Sequence, residues 1–238
     1  MQVELFISCL IDQFYPTIGW NMVKVLEKLG CNVQYNPNQT CCGMPAYYKG
    51  HRESTKEVAT KFLEDFNSKN IVVSPSAMCT NMVVNSYDHF FKNTSNHNIY
   101  RALQQRVFEL SDFLINELKV ESLPSVFNKK VAFHHNCNCV NYLDKKEESL
   151  QLLKMVKGCE LVYTNVPGTC CGYSGEYATN HEDEAIKKAE TLINIYAEAG
   201  AEVIVSNDQH CLFHFQSIKG LNTSMEFMHL ADVLAQGF

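Results

Sequence analysis

The chain predicts an α/β fold made of two pseudo-twofold-related halves, each a small parallel sheet with helical crossovers. Three observations predict it. The sequence repeats itself over most of its length. Short β-rich runs alternate with amphipathic helical stretches in both copies. Cysteines recur just past the strands of each copy. A long internal repeat is sought first because it signals one supersecondary unit used twice. VELFISC (3–9) aligns with VAFHHNC (131–137), and LGCNVQYN (29–36) with KGCELVYT (157–164). IVVSPSAMC (71–79) aligns with VIVSNDQHC (203–211), and ELSDFL (109–114) with HLADVL (229–234). The offset drifts from 128 to 132 and then 120, as changes in loop length produce. The two half-domains are therefore expected over 1–120 and 128–238, with the junction near 118–130.

Each half has one rhythm. In the first, a β-rich strand over 3–8 ends at Cys9, and an amphipathic helix follows over 18–29. A strand over 32–36 leads into the Cys41-Cys42-Gly43 loop, a helix over 52–67 follows, and a strand over 71–74 ends just before Cys79. The second half repeats this with strands over 131–135, 160–164 and 202–206 and helices near 146–157 and 181–199. Strand–helix–strand alternation argues for parallel pairing through helical crossovers, so each half is Rossmann-like in layout. Loops leaving the C-terminal strand ends of such a sheet collect the functional groups at one edge. Residues with 31 to 39 others between them can meet there.

Composition narrows the function classes. The 238 residues are 46% hydrophobic, enough for a packed core. The net charge is −6, and the basic pair Lys145-Lys146 is followed at once by Glu147-Glu148, which argues against a nucleic-acid partner. No apolar stretch is long enough for a transmembrane segment. The opening MQVELFISC carries Glu4 and no basic leader, unlike a secretory signal, so a cytoplasmic protein is expected. In a reducing compartment eleven cysteines favour metal or redox chemistry over disulfides. No G-x-G-x-x-G, no G-x4-GK[ST] and no flavin signal is present.

Eight of the eleven cysteines fall into two matching sets: Cys9, Cys41, Cys42 and Cys79, then Cys137, Cys170, Cys171 and Cys211. Structural zinc usually takes its four ligands from C-x-x-C knuckles, and neither half has one. Adjacent cysteines crowd a single ion, whereas a cluster offers neighbouring thiolates different irons. The glycine after each pair lets the backbone turn sharply. The pattern favours an iron–sulfur cluster over zinc, with metal-free thiol chemistry as the remaining reading.

The run C-x31-CCG-x-P-x-x-x-x-G…SPSAMC, followed by HHNC…GTCCGYSGEY…C, resembles the cysteine-rich CCG-domain family. Its members include the B subunit of heterodisulfide reductase and subunits of glycolate, glycerol-3-phosphate and lactate oxidation systems. The match runs from Cys9 to the MHLADVL segment. The resemblance implies a cytoplasmic iron–sulfur protein that oxidises L-lactate to pyruvate with two companion proteins. It would pass electrons to an acceptor protein or a quinone-linked chain, and loose association with the inner membrane face through a partner stays open. It also implies the ligand sets: Cys9, Cys41, Cys42 and Cys79 for one centre, Cys137, Cys170, Cys171 and Cys211 for the other. That is one or two clusters per chain, of the [4Fe–4S] type. The reductase motif ends in C-x-x-C, whereas here the last position is Met82 in one half and His214 in the other. The reductase's five-thiolate non-cubane cluster therefore does not carry over. Two alternatives remain: a catalytic cluster with an open iron acting on a disulfide or another hydroxy acid, and a zinc-stabilised scaffold.

Other residues are weighed beside these. His214 and Cys139 are additional candidate ligands, each with a plainer reading as a helix residue or a bystander. Met82 reads as packing. Cys31 and Cys159 follow glycines at helix-to-strand corners and read as core. His134 and His135 precede Cys137 and have Phe6 and Ile7 as counterparts, so a proton-handling role near the centre is a candidate. Ser8, Ser74 and Ser76 are candidate donors to cluster sulfurs. Pro45 and Pro167 are expected to shape the CCG loops.

Overall fold

The computed structural model describes residues 1–164, 166, 168–174, 176–218 and 224–237. It holds two four-stranded, all-parallel sheets, one per half. In the first, β1 (Gln2–Leu5) lies between β2 (Asn32–Tyr35) and β3 (Ile71–Ser74), and β4 (Val107–Glu109) closes the far side in the order β2-β1-β3-β4. In the second, β5 (Val126–His134), β6 (Lys157–Val162), β7 (Val203–Ser206) and β8 (Glu226–His229) run in the equivalent order β6-β5-β7-β8.

The side chains alternate between two faces, as strand geometry requires. Val3, Leu5 and Val73 of the first sheet join Val131, Phe133, Val203 and Val205 of the second in one continuous core. Helices Pro16–Lys28 and Glu148–Met155 fill that core with Met22, Val25, Leu26, Leu152 and Leu153. The outer faces have separate cores, around Phe6 and Val72 in one half and around Ala132 and Ile204 in the other. Helices Arg52–Asp65 and Glu182–Glu198 cover them with Phe62 and Ile193. Central strands are covered on both faces, which is why IVVS and VIVS read as unbroken apolar runs.

Three strands per half are expected, and four are found. The fourth of each, VFE in β4 and EFMH in β8, is too short at a sheet edge to show a period and leads straight into the repeated ELSDFL and HLADVL segments. β5 also starts earlier than expected, because Val126 pairs with Lys157 across a register shift. β1 stops at Leu5, although the Phe6 amide still donates to the Val73 carbonyl at 2.9 Å.

Candidate metal centre

Parallel pairing brings the eight cysteines to the C-terminal strand edges in two equivalent constellations. Cys9 opens helix Cys9–Phe14 after β1, and Cys137 opens helix Cys137–Asn141 after β5. Cys79 is the third residue of helix Ala77–Asn81 after β3, and Cys211 is the third of helix Gln209–Ser217 after β7. Both lie in a first turn, where free amides and the helix dipole favour negative charge. The CCG loops follow β2 and β6. Gly43 at φ 80° and Gly172 at φ 97° turn the chain there, and their amides donate to Sγ of Cys41 and Cys170, each at 3.4 Å.

Within each set the sulfurs form a row. Cys9 Sγ donates to Cys41 Sγ at 3.5 Å, and Cys42 bonds both Cys41 and Cys79. The second row runs Cys137, Cys170, Cys171, Cys211. The protonation pattern is the same in both. Bonds from the Cys42 and Cys9 thiols hold Cys41 down at about 3. Bonds from Cys137 and Cys171 hold Cys170 down at about 2. Cys79 is lowered chiefly by Cys42, and Cys211 is lowered to about 6 chiefly by Cys171. The partners Cys9, Cys42, Cys137 and Cys171 are pushed up, first by their bonds to those thiolates and then by burial. Cys42, Cys79, Cys171 and Cys211 are buried, Cys9 is exposed, and Cys41, Cys137 and Cys170 lie half-exposed at the edge. Four soft donors with a vicinal pair, receiving N–H bonds on sulfur, make a set that fits a thiolate-bound metal or cluster.

The two constellations meet across the pseudo-twofold axis. Ser76 and Asp208 occupy equivalent positions as N-caps of the Cys79 and Cys211 helices, and they bond to each other, Ser76 Oγ donating to Asp208 Oδ2 at 2.9 Å. The same oxygen accepts the Met78 amide at 2.8 Å. Asp208 Oδ1 accepts the His210 amide at 2.9 Å and meets His210 Nδ1 at 2.8 Å. Burial pushes His210 down, but the Asp208 carboxylate outweighs it and raises the imidazole to about 9. Asn81 Nδ2 donates to Asn138 Oδ1 at 2.9 Å, and His229 Nε2 to the Pro75 carbonyl at 2.8 Å.

The second row has a neighbour the first lacks. A ring nitrogen of His134 lies within 4.8 Å of Sγ of both Cys171 and Cys211. Its Nδ1 sits 2.9 Å from the Tyr196 hydroxyl, while its buried Nε2 has no hydrogen-bond partner among the described residues. Asn136 Nδ2 also donates to Cys211 Sγ, at 3.3 Å.

The other sequence candidates are placed elsewhere. His214 is buried with Nε2 on the Ala185 carbonyl at 3.2 Å. Cys139 is buried and accepts from Asn207 Nδ2 at 3.3 Å. Met82 and Cys31 pack in cores, and Cys159 lies half-buried in β6, its thiol raised to about 11 by burial. His135 meets the Lys146 carbonyl at 3.1 Å. Ser74 Oγ accepts the Ser76 amide at 3.3 Å, and Ser8 keeps a buried hydroxyl without a partner among the described residues. Pro45 sits in the first turn of helix Met44–Tyr48, after the CCG loop; Pro167 lies outside the described residues. Sequence reasoning missed Asn136 and Asp208, whose only signal is their place at helix starts.

Comparison with known proteins agrees with this geometry. The family described as "CCG: Cysteine-rich domain" matches residues 3–84 and again 131–216. Lactate utilization protein A of Bacillus subtilis (strain 168) is 33% identical over 98% of this chain and 99% of its own length. The protein of the same name from Halalkalibacterium halodurans is 34% identical over 98% of this chain and 96% of its own. Lactate utilization protein A 2 of Bacillus cereus (strain Q1) is 32% identical over all of this chain and 99% of its own. Among solved structures, a hypothetical protein from Helicobacter pylori has the same fold, with a TM-score of 0.67 at 12% identity. That match covers 98% of this chain and 48% of that one.

Proposed function

The chain belongs to the CCG cysteine-rich-domain family, and from that premise we propose that it is an iron–sulfur electron-transfer subunit in the oxidation of L-lactate to pyruvate. Two companion proteins complete the system, and an acceptor protein or quinone-linked chain takes the electrons. Among the described residues no helix is long and apolar enough to cross a membrane. The observation that carries the reading is the pair of matching sulfur rows, Cys9-Cys41-Cys42-Cys79 and Cys137-Cys170-Cys171-Cys211.

A cluster bound there would supply one-electron redox chemistry, two such transfers matching the two electrons that leave lactate with two protons. The protein's residues provide the rest. The eight thiolates ligate, Gly43 and Gly172 donate backbone N–H bonds to sulfur, and burial of Cys42, Cys79, Cys171 and Cys211 excludes water. The half-exposed Cys41, Cys137 and Cys170, with exposed Cys9, leave one edge of each centre open to a partner.

The test is iron and acid-labile sulfide per chain after anaerobic purification, with EPR after reduction. About eight of each supports two four-iron centres, and Cys42→Ser or Cys171→Ser then removes about half. Stoichiometric zinc without sulfide would replace this reading by a scaffold. Reduction of the loaded protein by lactate only when the companion proteins are added is the expected functional result.

A further inference from the structure

The two halves differ most where they are otherwise most alike. Phe6, at the last alternating position before Cys9, is fully buried, with its ring 4.8 Å from Phe62 and 5.8 Å from Phe66. His134 stands at the repeat-equivalent position before Cys137, 1% exposed and enclosed by Tyr196 and Phe215. An imidazole in an apolar outer core is costly unless both nitrogens find partners. One does, on the Tyr196 hydroxyl at 2.9 Å. The Tyr196 hydroxyl has no other acceptor among the described residues, so its proton points to Nδ1. With Nδ1 accepting, the ring's own proton sits on Nε2. That atom has no hydrogen-bond partner among the described residues, and a nitrogen of the ring lies within 4.8 Å of the Cys171 and Cys211 sulfurs.

We infer that His134, locked in its Nε2–H tautomer by Tyr196, is a positioning residue that donates to the thiolates of the second centre and makes it the electron sink of the pair. The inference rests on the iron–sulfur reading of the sulfur rows. An N–H bond to a ligand sulfur stabilises the added negative charge of the reduced form, and such bonds are a main control of cluster potential. Phe6 offers the first centre no such donor. An electron shared between the centres therefore resides on the second: the first is oxidised by one electron as the second is reduced by one, and the His134 proton stays on Nε2. The direction of flow inside the chain, from the first half to the second, is thus set by one side chain.

The experiment is an EPR-monitored redox titration of the anaerobically purified full chain, compared with His134→Phe, His134→Gln, Tyr196→Phe and Cys171→Ser. The parent should show two midpoints, the higher one missing from Cys171→Ser. His134→Phe, which copies Phe6, should keep iron and sulfide content and lower that midpoint alone. The expected change is about tenfold in the equilibrium between the centres, ~59 mV for one electron. His134→Gln, which keeps a donor, should recover part of it, and Tyr196→Phe should shift the same midpoint downward. Unchanged midpoints in a fully loaded His134→Phe would overturn the inference, as would loss of the lower midpoint in Cys171→Ser. Should His134→Phe fail to load, an unmoved midpoint in Tyr196→Phe overturns it equally. Strong nitrogen hyperfine coupling would overturn it in favour of direct ligation. A parent without iron and sulfide sinks the functional reading itself, a different result from any of these.

Discussion

Replacing Asp208 by asparagine tests whether the two halves are held by charge at their axis. The carboxylate is 0% exposed and accepts from Ser76 Oγ, the Met78 amide, the His210 amide and the His210 ring. An amide has one accepting oxygen. Turned toward Ser76 and Met78, it sets an NH2 against the His210 amide and removes the counter-charge of a buried imidazolium. Breaking a buried ion pair from one side costs about 3–5 kcal/mol, and an orphaned buried donor accounts for about 1–3 of that. For a chain of this size each kcal/mol moves the midpoint by about 2–4 °C, so Asp208→Asn should melt roughly 6–20 °C below the parent. Asp208→Ser, which copies Ser76, keeps a hydroxyl for its own helix start but supplies no carboxylate to the Met78 amide or the His210 ring, so it should lose at least as much. The assay is differential scanning calorimetry of the anaerobically purified protein at one fixed scan rate. An Asp208→Asn protein melting within about 1 °C of the parent would refute the reasoning, as would Asp208→Ser melting well above Asp208→Asn.

Glu109 gives a pH prediction. Burial raises its carboxyl from 4.5 to about 8, so between those values the unfolded chain has lost a proton that the folded one keeps, and stability falls as pH rises. Glu109→Gln should remove a loss of up to roughly 5 kcal/mol at pH 8 and flatten the urea-midpoint profile above pH 4.5. Glycine replacements should separate the centres. A Cβ at Gly172 would meet the Ala185 carbonyl oxygen at 2.8 Å, whereas one at Gly43 meets only side-chain carbons, from 3.3 Å outward. Gly172→Ala should therefore cost the second centre its iron, while Gly43→Ala retains more of the first, read as iron per chain. Loading must also displace the protons on Cys9, Cys42, Cys137 and Cys171, whose thiols are pushed up. Cadmium uptake by metal-free protein should release protons in a pH-stat and weaken as pH falls; uptake without proton release contradicts the row of alternating thiols and thiolates.

Much of this site is legible in the chain because spacing and repetition survive without coordinates. The two CCG triplets, flanked at matched distances, announce two equivalent centres, and the apolar runs at 71–74 and 203–206 announce central strands. What joins the halves is not legible. Ser76 and Asp208 read as ordinary helix starts, because an N-cap signal reports the local turn and not the partner 132 residues away. His134 is one of two adjacent histidines in a strand. Alternation says that they point oppositely but not which one meets sulfur; the structure turns His135 to a backbone carbonyl and His134 inward. His214, in the register of a missing cysteine, is instead turned to the Ala185 carbonyl. The edge strands β4 and β8 escape because three or four residues carry too little pattern.

The Ser76–Asp208 contact also bears on how such a molecule can be cut or assembled. A true twofold dimer of one half must face each axial residue with its own copy. Two aspartates would press like charges together in a dry site, and two serines would leave the Met78-type amide without its carboxylate. One covalent chain escapes that constraint, since its copies are free to diverge into acid and hydroxyl. Separately expressed halves would thus have a built-in mating rule: each is poorly matched to itself and well matched to the other. The axis works as a key that rejects its own duplicate.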